Sequence, residues 1–269
     1  MGTASVNGIA IDYDDLGGGA DVLLLVHGHP FDRSMWRPQA ETAAVAGWRV
    51  VVPDLRGYGR TTVVPGKTML DHFAGDLAAL LDHLGIPAAV VGGLSMGGQI
   101  AMEFCRLHRP RVRGLLLAAT FPRAETEEGR RVRHATADRL LAEGMGPYAA
   151  EALPRMLAPR SIAALPEMAA HVLDMMRRAH PAGAAAALRG RAERPAYQPV
   201  LAAFDGPALV VVGDEDAFTT RADADTMHAL LRRSELVWME GVGHMPNLER
   251  RAEFDAALLR LLGAVATAA

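Results

Sequence analysis

Five consecutive apolar residues, Val22-Leu23-Leu24-Leu25-Val26, stand out from a polar, Gly-rich N-terminal region. A run that short and that continuous predicts a strand covered on both faces. The signature returns at Val50-Val51-Val52, Ala88–Val91, Val112–Ala118, Ala208–Val212 and Leu236–Met239. Ahead of them, Ser5–Tyr13 alternates apolar and polar positions around Asn7-Gly8, which predicts a β-hairpin. Between strands the period changes. From Leu70, apolar residues recur at Phe73, Leu77, Leu80, Leu81 and Leu84, one helical face. Thr68 is its expected N-cap, and Gly85 and Pro87 close it. Further helices are expected after residue 95, stopping before Pro110, over Ala222–Leu231, and over Ala252–Leu262 with its end at Gly263. Strands alternating with helices predict an α/β fold: a mostly parallel sheet flanked by helices.

The alternation breaks once. From about Phe121 to about Pro199 the chain is helical, rich in Ala and Met, and divided by Pro147, Pro154, Pro159, Pro166, Pro181 and Pro195. Met168, Val172, Met175 and Met176 share a helical face there. This segment reads as an insertion that lacks a core of its own. The expected division is therefore a core of residues 1–120 and 200–269 with a helical cap of residues 121–199.

Composition narrows the class without naming it. The 269 residues are 50% hydrophobic and 22% charged, with a net charge of −3, ordinary for a globular protein with a sizeable core. That charge gives no case for nucleic acid. The single cysteine, Cys105, cannot form an internal disulfide and is expected to pack in the core. No secretory signal is evident and no apolar run is long enough to span a membrane, so a cytoplasmic location is expected. Lys67 is the only lysine and alanine abounds, a bias typical of GC-rich bacterial genes. No Cys/His cluster has metal-ligand spacing and no Gly-rich phosphate loop is present, so neither metal nor cofactor is implied.

Candidate chemistry centres on Gly93-Leu94-Ser95-Met96-Gly97, a G-x-S-x-G between a strand-like and a helix-like segment. A strand turning abruptly into a helix at Ser95 would hold its hydroxyl out at the sheet end, with the helix dipole aimed where negative charge forms. Five serines among 27 glycines make a chance match roughly a 0.05 event. A serine hydroxyl also needs a base, and the base an orienting acid. Both follow later, each after a predicted strand: Gly213-Asp214-Glu215-Asp216 and Gly241-Val242-Gly243-His244. Asp214 and Glu215 are rivals of Asp216, with Asp214 better suited to a turn.

These motifs, with His27-Gly28-His29-Pro30 and Pro53-Asp54-Leu55-Arg56-Gly57-Tyr58-Gly59, resemble the α/β-hydrolase superfamily. Within it the resemblance is to the small esterase, lactonase and cofactor-free haloperoxidase-like branch, over residues 5–264 apart from the insertion. It implies Ser95 as nucleophile, His244 as general base and then acid, and Asp216 as the residue fixing the imidazole. It further implies an oxyanion hole from the backbone N–H groups of His29 and Met96. His27, Asp54 and Arg56 would brace loops, whereas the His29 imidazole either contacts substrate or fills space. One departure is visible: Thr219-Thr220 stand where members commonly carry a proline, which leaves the start of the next helix open.

The implied activity is hydrolysis of a carboxylic ester or lactone through an acyl-enzyme on a small-molecule substrate. Serine in place of aspartate argues against the dehalogenase and epoxide hydrolase relatives. The same triad would also serve carbon–carbon bond hydrolysis, acyl transfer, perhydrolysis or a biosynthetic tailoring step, and some hydrolase folds only bind. The Met- and Ala-rich insertion predicts a modest, mostly apolar acyl or ring group. Arg130-Arg131-Val132-Arg133 reads as a solvated face, and His134, His171 and His180 as solvated or capping groups. Sequence leaves the oligomeric state and the natural substrate open.

Overall fold

A computed structural model of the protein describes residues 1–267. The hairpin forms where the alternation places it: β1 (Gly2–Val6) pairs antiparallel with β2 (Ile9–Leu16) through a turn at Asn7-Gly8. Then come β3 (Val22–Val26), α1 (Arg37–Val45), β4 (Arg49–Pro53), α2 (Leu70–His83), β5 (Ala89–Leu94), α3 (Met96–Leu107) and β6 (Val112–Ala118). Six helices follow without a strand: α4 (Glu127–Glu143), α5 (Met145–Met156), α6 (Pro159–Ala164), α7 (Pro166–Arg178), α8 (Pro181–Arg191) and α9 (Gln198–Ala202). The alternation resumes with β7 (Ala208–Gly213), α10 (Arg221–Leu230) and β8 (Ser234–Met239), and ends with α11 (Pro246–Glu249) and α12 (Arg251–Ala266).

The eight strands form one sheet in the order β1-β2-β4-β3-β5-β6-β7-β8. The pairs of β1 with β2 and β2 with β4 are antiparallel, and all pairs from β4 to β8 are parallel. The apolar runs are continuous because both faces are covered. Leu24, Val26, Val91 and Leu117 pack on one side with Phe73 and Leu77 of α2, Ile100 of α3 and Met227 of α10. Their neighbours Leu23, Leu25, Val90 and Leu116 pack on the other with Ala40 and Ala43 of α1 and Leu258 and Leu261 of α12. Cys105 is buried in this core, and burial pushes its thiol up to about 11. Among the described residues no helix is long and apolar enough to cross a membrane.

Two helix boundaries differ from expectation. The N-cap of α2 is Met69, whose N–H donates to the His72 ring at 3.3 Å. Thr68 is buried instead, its N–H committed to the Ala186 carbonyl of α8. Nor does Gly263 end α12, because burial of Val265 against the sheet outweighs the ~1 kcal/mol that glycine costs within a helix. Prolines open α6, α7 and α8 at their first positions, where the missing N–H costs nothing.

The helix α8 is buried nearly all round, and its alanines and glycines explain how. A Cβ on Gly190 would collide with the Thr68 carbonyl, and one on Gly183 with that of Gly57. The helix backbone thus lies directly against the loops that follow β4.

A buried cation ties the first strands together. Arg33 reaches Asp54 at 2.7 Å, Asp12 at 2.5 Å and Asp14 at 3.3 Å, joining β2 to the loops after β3 and β4. Removing one partner of a buried pair strands the other charge. Arg33→Met is expected to cost about 3–5 kcal/mol in urea unfolding. Adding Asp54→Asn should return part of that loss; a loss unchanged or deepened would show that charge pairing is not the cause.

Candidate active site

Ser95 sits between the last residue of β5 and the first of α3, at φ 57° and ψ −114°. That left-handed backbone is rare for a residue with a side chain and marks a strained turn. Hydrogen bonds hold it on both sides: Ser95 N–H donates to Ala118 O at 2.9 Å, and its carbonyl accepts from Thr120 Oγ1 at 2.8 Å. Gly97 allows the close approach the turn needs, since a Cβ there would strike the Val26 carbonyl of β3. Met96 is the first residue of α3, so its N–H has no intrahelical acceptor.

The parallel register carries the other expected residues to the same end of the sheet. Val26 pairs with Gly93, Leu94 with Ala118 and Gly213 with Met239, so the loops after β3, β5, β7 and β8 emerge side by side. His244 is buried, with Nδ1 at 2.9 Å from both carboxylate oxygens of Asp216. Asp216 is fixed in turn by the N–H groups of Phe218 at 2.8 Å and Thr219 at 3.3 Å. The rivals lie elsewhere: Asp214 accepts from the N–H groups of Gly241 and Val242, and Glu215 is exposed. Thr220 supplies the helix start that a proline would otherwise give, forming a reciprocal cap with Asp223 on α10.

His27 braces a loop, its Nε2 accepting from Leu55 N–H at 3.0 Å. Asp54 and Arg56 do likewise, Asp54 through Arg33 and Arg56 through Asp76 at 2.6 Å. His180 is the N-cap of α8. His29 is different. Its Nδ1 shares a 2.7 Å hydrogen bond with the Tyr58 hydroxyl, while Nε2 is buried without a partner.

A cavity of about 490 Å³ joins these groups, with Ser95, His29 and His244 on its wall. A second cavity of about 520 Å³, beside Asp32, Arg33 and Arg178, contains none of the expected residues. The Ser95 cavity departs from the apolar pocket that composition predicts. Phe121, Tyr148, Met156 and Phe218 line it, but so do Arg123, Arg133, Arg155, Arg191 and Glu125. Arg130 and Arg131 keep to the exposed face of α4 and pair with Glu127 and Glu128. Arg133 of the same run turns inward to Glu125.

The family described as "Alpha/beta hydrolase family" matches residues 23–257. The chain belongs to that family. It is similar over nearly its whole length to a thermophilic esterase from Thermogutta terrifontis: TM-score 0.93, 37% identity, 98% of this chain and 97% of that one. It is 28% identical to 3-oxoadipate enol-lactonase 2 of Acinetobacter baylyi, over 95% of this chain and 94% of that protein. A shorter match, 38% over 116 residues, links it to epoxide hydrolase 2 of Siraitia grosvenorii and spans only 36% of that protein. The protein is thus a hydrolase.

One site residue of this hydrolase had no signal in the sequence. Glu249, buried on α11, accepts from Gly243 N–H at 3.1 Å, Met245 N–H at 3.1 Å and Ala158 N–H at 2.9 Å. Its carboxylate holds the backbone on both sides of His244 and ties it to the junction of α5 and α6. A glutamate in a short acidic-basic stretch looks solvated until the fold closes around it.

Burial, reinforced by the charges of Arg191 and Arg133, pushes the His29 imidazole well below the ordinary histidine value. It is therefore neutral when folded but takes up a proton when unfolded, once pH falls below about 6.5. Its contribution to stability is complete above that pH and is lost as pH falls toward the lower folded value. Denaturant unfolding of the wild type should lose stability more steeply from pH 7 to pH 5 than that of His29→Asn; parallel slopes would rule the coupling out.

Proposed function

We propose that the protein hydrolyses carboxylic esters or lactones through an acyl-enzyme on Ser95, with His244 and Asp216 completing a triad. The observation that carries this reading is the Asp216–His244 contact at 2.9 Å beside a cavity that Ser95 enters from a strained strand-to-helix turn. The enol-lactonase and esterase similarities, each spanning nearly the whole chain, support the same substrate class. An epoxide route is not favoured, because the residue at the turn is serine and that similarity stops well short of full length.

His244 Nε2 accepts the Ser95 proton as Oγ attacks the carbonyl carbon. The imidazolium that forms is stabilised by Asp216 through Nδ1–H. Negative charge collects on the carbonyl oxygen, where the N–H groups of Met96 and His29 donate to it, aided by the N-terminus of α3. Collapse breaks the carbon–oxygen bond, and the leaving alcohol takes the proton from His244. A water deprotonated by His244 then attacks the acyl-enzyme, releasing the acid and restoring Ser95. We read residues 121–199 as the cap that selects the substrate, over a core of residues 1–120 and 200–269.

Ser95→Ala should lower p-nitrophenyl acetate turnover by about 10⁴-fold or more, with an unchanged circular dichroism spectrum. Labelling by a fluorophosphonate probe should disappear in the same variant. Wild-type turnover in Ser95→Ala would sink the mechanism.

A further inference from the structure

Among the described residues three arginine side chains are buried, and two of them have carboxylate partners. Arg33 is 8% exposed and sits among three aspartates; Arg194 is 3% exposed and reaches Glu125 at 3.2 Å. Arg191 is 6% exposed and, among the described residues, forms no ion pair. Its Nε donates to the neutral Gln99 Oε1 at 3.1 Å, and the two terminal nitrogens donate to no protein acceptor among the described residues. Glu125, the one carboxylate among the described residues whose charge acts on it, is already shared by Arg133 and Arg194. Three guanidinium groups around one carboxylate leave an uncompensated positive charge beside the catalytic cavity.

A buried charge without a protein partner is costly, and one that faces a cavity is completed there by water or by a ligand. The position is also built, not accidental. Arg191 ends α8, whose backbone is pressed against the loop after β4 at Gly183 and Gly190, so the guanidinium is held at the cavity wall together with Ser95 and His244. With Nε occupied by Gln99, the free edge presents two parallel N–H donors, the fork that matches a carboxylate. The unpartnered Nε2 of His29 lies on the same wall.

We propose that Arg191 binds a carboxylate carried by the substrate, so that the ester or lactone opened at Ser95 is an anionic one. The proposal rests on the ester-hydrolase reading for what is cleaved, but not for what is bound. A neutral ester of the same shape would leave Arg191 unpaired and be discriminated against.

Two p-nitrophenyl esters test it: the glutarate monoester, ending in a carboxylate, and its methyl ester, ending in a neutral group. The wild type is expected to favour the carboxylate ester in kcat/KM by about 30-fold or more. Arg191→Met should abolish that preference, and Arg191→Lys should keep only part of it, because a point charge cannot make the forked contact. No preference in the wild type, or an equal preference in Arg191→Met, overturns the proposal. Glutarate binding to Ser95→Ala by calorimetry provides a readout independent of turnover. Binding lost on adding Arg191→Met supports the anion site even if neither ester is cleaved, in which case the ester reading alone fails; binding retained overturns the anion site. Arg191→Met is also expected to melt no lower than the wild type, and glutarate to raise the melting temperature of the wild type only.

Discussion

Everything at this site depends on one residue turning a strand into a helix. Ser95 can hold φ 57° only because β5 is clamped between β3 and β6, and because α3 lies close enough to β3 for Gly97 to touch the Val26 carbonyl. Strain of that kind costs of order 1–3 kcal/mol and persists only where the surroundings over-determine it. Here they do, with β3 and β5 buried along their whole lengths, Ser95 N–H donating to Ala118 and Thr120 Oγ1 donating to the Ser95 carbonyl. The parallel register then brings the loops carrying His29, Asp216 and His244 to the same edge without a further device.

The sheet and the helical insertion divide the work. The sheet presents Ser95, Asp216 and His244 just beyond rigid strand ends, where open α/β folds place their ligands. The insertion supplies the cavity's opposite wall, and with it most of the charge: Arg133 comes from α4, Arg155 from α5 and Arg191 from α8. Alanine and glycine on α8 add little apolar surface. They let that helix approach the core closely enough to carry a long side chain inward.

Much of this was legible in sequence, and the reason is local. The buried strands show as unbroken apolar runs, the turn as G-x-S-x-G, and the residues after β7 and β8 as Gly213-x-x-Asp216 and Gly243-His244. What sequence concealed depends on neighbours distant along the chain. Thr68 loses its capping role to a carbonyl on α8, and Gly263 stays helical because Val265 is buried. Arg130, Arg131 and Arg133 look alike in sequence, yet helical phase and the position of Glu125 turn only the last toward the cavity. Arg191 and Glu249 gave no signal, since burial of a charged side chain is a property of the closed fold.

The Glu249 carboxylate bonds the loop of His244 and the junction of α5 and α6 at once, and His244 N–H itself donates to Met156 O at 3.0 Å. The positions of the α5–α6 junction and of the His244 loop are therefore mechanically linked. Lifting the α5–α6 junction would break both contacts and release the loop that carries His244. If His244 is the base, as proposed, an opening at that junction would also displace it.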